Sequence, residues 1–276
     1  MQFFRNVTWW FIGLTTTLLF IVVLVLSDFL KGQFWSVPSS ALIVTYLALL
    51  LGFINKIGIL RLGDTLIHEI GHAQMAALTF GKVTSIRVER DSSGVTFHFR
   101  SRFFQRFSTS VVSLFGPISS SVIFLITTRF ISSELTAFWS LGAGLFVILI
   151  LLTTVRNLWG WISGLSILFY LYVILETSGY IDPTILISEK IMASNTLLVN
   201  SLLAITAFNC GTALRYSWSC RFARSPNSDE YKFSRSLFLP GFVGGHLIFV
   251  VQICLIFIGL GFLLGWPSLF DANRFI

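Results

Sequence analysis

Apolar runs, each about as long as a bilayer crossing, follow one another along the chain with little polar sequence between them. They predict membrane helices over 9–26, 39–60, 62–80, 107–128, 137–155, 158–176, 195–213 and 241–264. Asn195, Asn200 and Asn209 interrupt the seventh run, so a re-entrant or interfacial helix is an alternative there. One stretch breaks the pattern. Val83, Ile86 and Val88, then Val95, Phe97 and Phe99, flank the turn-forming Asp91-Ser-Ser-Gly94 and predict a β-hairpin. The expected fold is an all-α polytopic membrane protein of about eight spans, with a short β-hairpin after the helix over 62–80.

In domain terms, residues 1–60 hold two N-terminal spans and 61–264 form the main membrane domain. That domain contains a hairpin over 81–100, a loop over 214–240 and a last span over 241–264. Residues 265–276 read as a tail. Arg5 precedes the first apolar run, but no small-residue cleavage site follows it, so the first run reads as a retained span.

Composition supports this picture. The chain has 276 residues, 55% of them hydrophobic and only 11% charged, against about 25% charged in soluble domains. The net charge of +7 therefore points to cationic loops at a membrane rather than to nucleic acid. Lys82, Arg87, Arg90, Arg100, Arg102 and Arg106 lie in one long connection; Arg215, Arg221, Arg224, Lys232 and Arg235 lie in another. Eight alternating spans put both on one side, which the positive-inside rule makes cytoplasmic. Cys210, Cys220 and Cys254 have no metal-ligand or disulfide spacing and read as inert.

The candidate chemistry sits in the third run, where residues 68–72 read His-Glu-Ile-Gly-His. Four residues apart on a helix, His68 and His72 point to the same side, as two ligands of one zinc ion require. Glu69 is placed to act as general base on a water. Ionisable groups inside a span are costly and signal function by default; Asp64, His68, Glu69 and His72 share this one.

Catalytic zinc takes three protein ligands, so a third must come from elsewhere. His98 in the hairpin and His246 in the last span are candidates, although a lone histidine is more often a packing group. Asp229, in Ser225-Pro-Asn-Ser-Asp-Glu230, is the preferred carboxylate, but it also suits an ordinary helix start. Glu176 and Asp182 flank a loop on the opposite side. Asn157 suits either a helix cap or a group orienting substrate. Gly116-Pro117 allows close helix approach. The hairpin reads equally as a surface loop or as an edge strand able to pair with an extended peptide.

The series His68-Glu-Ile-Gly-His72, Ser93-Gly94-Val95-Thr96, Gly116-Pro117, Arg156-Asn157-Leu158, Ser228-Asp229 and Leu239-Pro240 resembles the site-2 protease family of intramembrane zinc metalloproteases (peptidase family M-50), in its compact bacterial branch. The resemblance covers roughly 60–264. It implies Zn2+ on His68 and His72, Glu69 as the water-activating residue, and an integral protein of the bacterial inner membrane. It also implies a membrane-protein substrate held as an added strand at the hairpin edge, where Val95 and Phe97, with Asn157, are the expected substrate contacts.

The chain departs from the family pattern at the third ligand. Family members take it from a Leu-Asp-Gly motif after Asn-x-x-Pro; here the series reads Asn157-Leu-Trp-Gly160 and no Leu-Asp-Gly occurs. Asp229 is the substitute. The departure motivates a rival reading, a weakly active or inactive relative serving as a scaffold or as a subunit of a larger membrane complex or homo-oligomer. An ion transporter would show paired broken spans, which the sequence lacks. Four histidines are too few for a His-rich two-metal oxygenase.

Overall fold

Among residues 39–57, 61–99, 105–132, 135–177, 196–220 and 225–264, which a computed structural model describes, the chain folds as helices plus one two-stranded sheet. The elements are α1 (Ser39–Ile54), α2 (Leu62–Leu78), β1 (Lys82–Val88), β2 (Gly94–Phe99), α3 (Gln105–Ser132), α4 (Thr136–Thr153), α5 (Leu158–Thr177), α6 (Thr196–Cys220), α7 (Asp229–Ser236) and α8 (Gly241–Leu263).

Five of these helices, α3, α4, α5, α6 and α8, are long and apolar enough to cross a membrane, so the protein is an integral membrane protein. The expectation of eight spans is corrected to five among the described residues. The run over 9–26 lies outside them. The run over 39–60 forms a helix of only 16 residues, about 24 Å at 1.5 Å per residue, short of a hydrocarbon core of about 30 Å. The run over 62–80 forms the 17-residue α2, whose Asp64, His68, Glu69 and His72 depress its hydropathy. The doubtful seventh run becomes the full 25-residue α6. Asn200 of α6 is satisfied by donating from Nδ2 to Ser40 Oγ of α1 (3.1 Å).

α2 packs against α3, α5, α6 and both strands. Its Leu66, Ile70, Ala73 and Ala77 join Val83, Ile86 and Val88 of β1 and Ile150, Leu151 and Val155 from the end of α4 in one buried cluster. The hairpin is thus clamped to the helix by Val83, Ile86 and Val88 of β1, which share one face because the register shifts between Val83 and Ser85. The opposite side of the bundle joins α1, α3, α6 and α8 around Phe124, Leu203 and Ile256. Leu145, Phe169 and Phe257 point outward, toward acyl chains in a bilayer.

β1 and β2 pair antiparallel, with Ile86 opposite Thr96 and Val88 opposite Gly94. The outer edge of β1 is covered. Ile86 N–H donates to Thr154 C=O (3.0 Å), and Arg156 N–H donates to Ile86 C=O (3.2 Å). Val155 thereby forms a parallel bridge with Ile86.

Candidate metal centre

His68 and His72 project from α2 with their rings edge to face, centroids 4.7 Å apart. Asp229 reaches them from the first turn of α7, where Ser228 caps the helix by accepting from Tyr231 N–H (3.3 Å). The two Nε2 atoms lie 3.1 Å apart. Asp229 Oδ2 is 3.1 Å from His68 Nε2 and 3.0 Å from His72 Nε2. Among the described residues, these three are the group whose ligand atoms converge closely enough to share a metal.

The donor set fits a cation. His72 Nδ1–H donates to Val112 C=O at 2.7 Å, which fixes the tautomer and turns the Nε2 lone pair toward Asp229 and His68. Three electron-rich atoms facing one another at 3.0–3.1 Å call for positive charge between them. The triangle they form is close to the edge of about 3.3 Å that bonds of 2.0–2.1 Å make around a tetrahedral zinc.

Gly116 of α3 leaves the room the His72 ring needs. A Cβ there would lie 2.2 Å from ring Cε1 and 2.3 Å from Nε2. The following Pro117 has its carbonyl taken by the buried Gln252 Nε2 of α8 (2.6 Å).

Glu69 is buried (4% exposed) and faces the hairpin. Thr96 Oγ1–H lies 2.7 Å from Glu69 Oε2 and 2.9 Å from the Glu69 carbonyl. Gly94 sits against the other carboxylate oxygen, since a Cβ at that position would be 2.6 Å from Oε1. One turn before His68, Asp64 accepts from Ser120 Oγ (2.5 Å). Asp64, His68, Glu69, His72, Gly94, Thr96 and Asp229 line one cavity of about 620 Å³, whose wall also carries Arg61, Arg215, Tyr216 and Lys232.

The remaining candidates fall elsewhere. Asn157 does not reach the ligand triangle. Its Oδ1 accepts from Val88 N–H (3.2 Å) and its Nδ2 donates to Val88 C=O (2.5 Å), so it extends the pairing along the outer edge of β1. Val95 and Phe97 are on the exposed face of β2, and the Arg87 guanidinium lies over the Phe97 ring. His98 lines the cavity without joining the triangle. His246 is exposed on α8, with Nδ1 2.7 Å from Phe242 C=O. Glu176 is exposed at the end of α5, and Asp182 lies outside the described residues. Gly94, Thr96 and Gly116 stand in the motif series of the sequence without an assigned partner, and nothing in the sequence singles out Val112. Period-two alternation carries a signal for Gly94 and Thr96, because it puts them on the face opposite Val95 and Phe97.

The model of the Peptidase M50B-like family matches residues 39–259. No curated protein and no solved structure matches the chain. The matched range contains both histidines, Asp229, the hairpin and every wall of the cavity. Asp229 Oδ2 faces both histidine Nε2 atoms, which makes it the third member of a group able to hold a metal. On these grounds the chain belongs to the Peptidase M50B-like family and is a site-2-protease-like intramembrane metalloprotease.

Proposed function

We propose that the protein is a zinc endopeptidase that cleaves a membrane-protein segment laid in extended form along β2, with Glu69 as general base and the cavity opening toward the cytoplasm. The convergence of His68, His72 and Asp229 beside Glu69 carries this reading. Zinc held by those three side chains would polarise the scissile carbonyl and lower the pKa of water.

The protein's own groups do the rest. Asp229 supplies an anionic ligand, and Val112 holds the His72 ring in the tautomer that leaves Nε2 free to ligate. Glu69 takes a proton from the attacking water and returns it to the departing amine nitrogen as the C–N bond breaks.

The docking edge follows from the hydrogen-bond pattern. Ile86 and Val88 turn their backbone groups outward, to residues 154–157. Their partners Thr96 and Gly94 must then turn theirs to the opposite edge, because antiparallel pairs alternate in this way. Among the described residues β2 pairs only with β1, and its Gly94, Val95, Thr96 and His98 line the cavity. A peptide added there runs past Glu69. Arg61, Arg215 and Lys232 line the same cavity, and this cationic lining supports a cytoplasmic opening.

The test uses the full chain purified in detergent and a quenched-fluorescence library of single-span peptides. The expected result is about one zinc per chain, cleavage abolished by chelation and restored by zinc, and a Glu69→Gln protein that keeps its zinc but does not cleave. Wild-type rates from Glu69→Gln, or from metal-stripped protein, would sink the proposal.

A further inference from the structure

We infer that Thr96 is a positioning residue through which a docked substrate strand sets the Glu69 carboxylate. The inference rests on the reading of Glu69 as base and of β2 as the docking edge. Thr96 has two aspects that point in perpendicular directions. Its backbone N–H and C=O lie in the plane of the sheet and face the edge away from β1, as the outward turn of Ile86 requires. Its side chain stands off the sheet toward α2, where the hydroxyl meets Glu69 Oε2 at 2.7 Å and the Glu69 carbonyl at 2.9 Å.

Gly94, two positions earlier on the same face, completes the arrangement. Its backbone also turns to the open edge, and its Cα lies against Glu69 so closely that a Cβ would meet Oε1 at 2.6 Å and Cγ at 2.7 Å. The carboxylate is therefore held between alternate residues of one strand, with a hydrogen bond on one oxygen and a steric stop at the other. Those same two residues supply the backbone groups to which a substrate strand would bond.

A strand with only one neighbour has fewer constraints on its backbone angles than one paired on both sides. A peptide bonded to the N–H and C=O of Thr96 and Gly94 restricts those angles, and with them the direction of the Thr96 Cα–Cβ bond. The base then reaches its working position when substrate is aligned on the edge, and is less well held without it. Misplacing a catalytic group by about 1 Å can cost about 100-fold in rate, so this coupling bears on turnover more than on affinity.

The experiment compares wild type, Thr96→Val, Thr96→Ser and Glu69→Gln, as full-length chains, on the best-cleaved single-span peptide of the library. Valine keeps the branched shape suited to a strand and removes only the hydroxyl. The expected result for Thr96→Val is kcat lowered about 10–100-fold, with KM within about twofold and zinc content and melting temperature close to wild type. Thr96→Ser, which restores the hydroxyl, recovers most of kcat. A raised KM with unchanged kcat would overturn the inference, because Thr96 would then serve docking alone. Loss of zinc or of the folded state in Thr96→Val, with no rescue by serine, would overturn it in favour of a structural role. If Glu69→Gln is inactive while Thr96→Val turns over at the wild-type rate, the inference fails and the reading of the base survives. If Glu69→Gln itself cleaves normally, the reading of the base fails first.

Discussion

Gly116 and His72 occupy space that a single extra methyl group would make incompatible: a Cβ on Gly116 would fall 2.2 Å from the imidazole Cε1. The obstructing atom belongs to a ring already held by Val112, so little freedom remains to yield. Gly116→Ala should lower zinc affinity by about 10–100-fold, the range typical of residues that orient a ligand. Competition against a chromophoric chelator measures this. An unchanged zinc affinity would show that α3 moves away at little cost.

Asp229→Asn removes the anionic ligand while nearly keeping the shape. Its effect on zinc affinity should exceed that of Gly116→Ala, because it replaces a ligand rather than its support. Activity should fall in proportion to zinc occupancy and recover partly at high zinc. Full occupancy of the Asp229→Asn protein at zinc concentrations that just saturate wild type would count against Asp229 as the third ligand.

Asn157→Ala deletes both side-chain hydrogen bonds to Val88. It should cost about 1–3 kcal/mol, since two backbone groups lose their partner, and this is read as a lower melting temperature. Zinc content should stay at the wild-type level because Asn157 does not reach the metal ligands. A direct role in binding substrate would instead raise KM with no loss of stability.

Strand docking on β2 makes a prediction about the substrate backbone. Methylating single amide nitrogens of the cleaved peptide should raise KM at alternate positions only, because successive N–H groups of a strand point to opposite edges. Uniform sensitivity, or none, would refute pairing at Gly94 and Thr96.

The hairpin turn supplies a reporter of orientation. In a background without native cysteines, Ser93→Cys should react with a membrane-impermeant maleimide in inverted vesicles and not in right-side-out ones. The opposite pattern would place the cavity on the other face of the membrane.

Local spacing makes much of this legible in the sequence. The His-Glu-x-x-His pair and the hairpin depend on periods of 3.6 and 2, which few residues suffice to display. Asp229 is reached through its Ser228-Asp229 and Leu239-Pro240 setting and not through spacing from the histidines, because what brings it to α2 is the packing of α7 against α3 and α8. Asn157 suggests a cap or a substrate contact because nothing in its neighbourhood reveals a partner 69 positions away. Val95 and Phe97 stand out for their apolar character, whereas the chemistry lies on the face between them. The span count fails because hydropathy marks an apolar run without telling where the helix within it stops, as α1 shows.

His72 and Asp229 are 157 residues apart in the chain, and Asp229 is positioned by a short helix pinned to α8 through Ser234 and Gly244. A polypeptide emerging into the membrane therefore carries its histidine pair and its base long before it has a complete metal site. On the reading of Asp229 as third ligand, the metal site closes only when α7 and α8 are in place. The long separation, an obstacle to reading the site from sequence, ties completion of the site to completion of the fold.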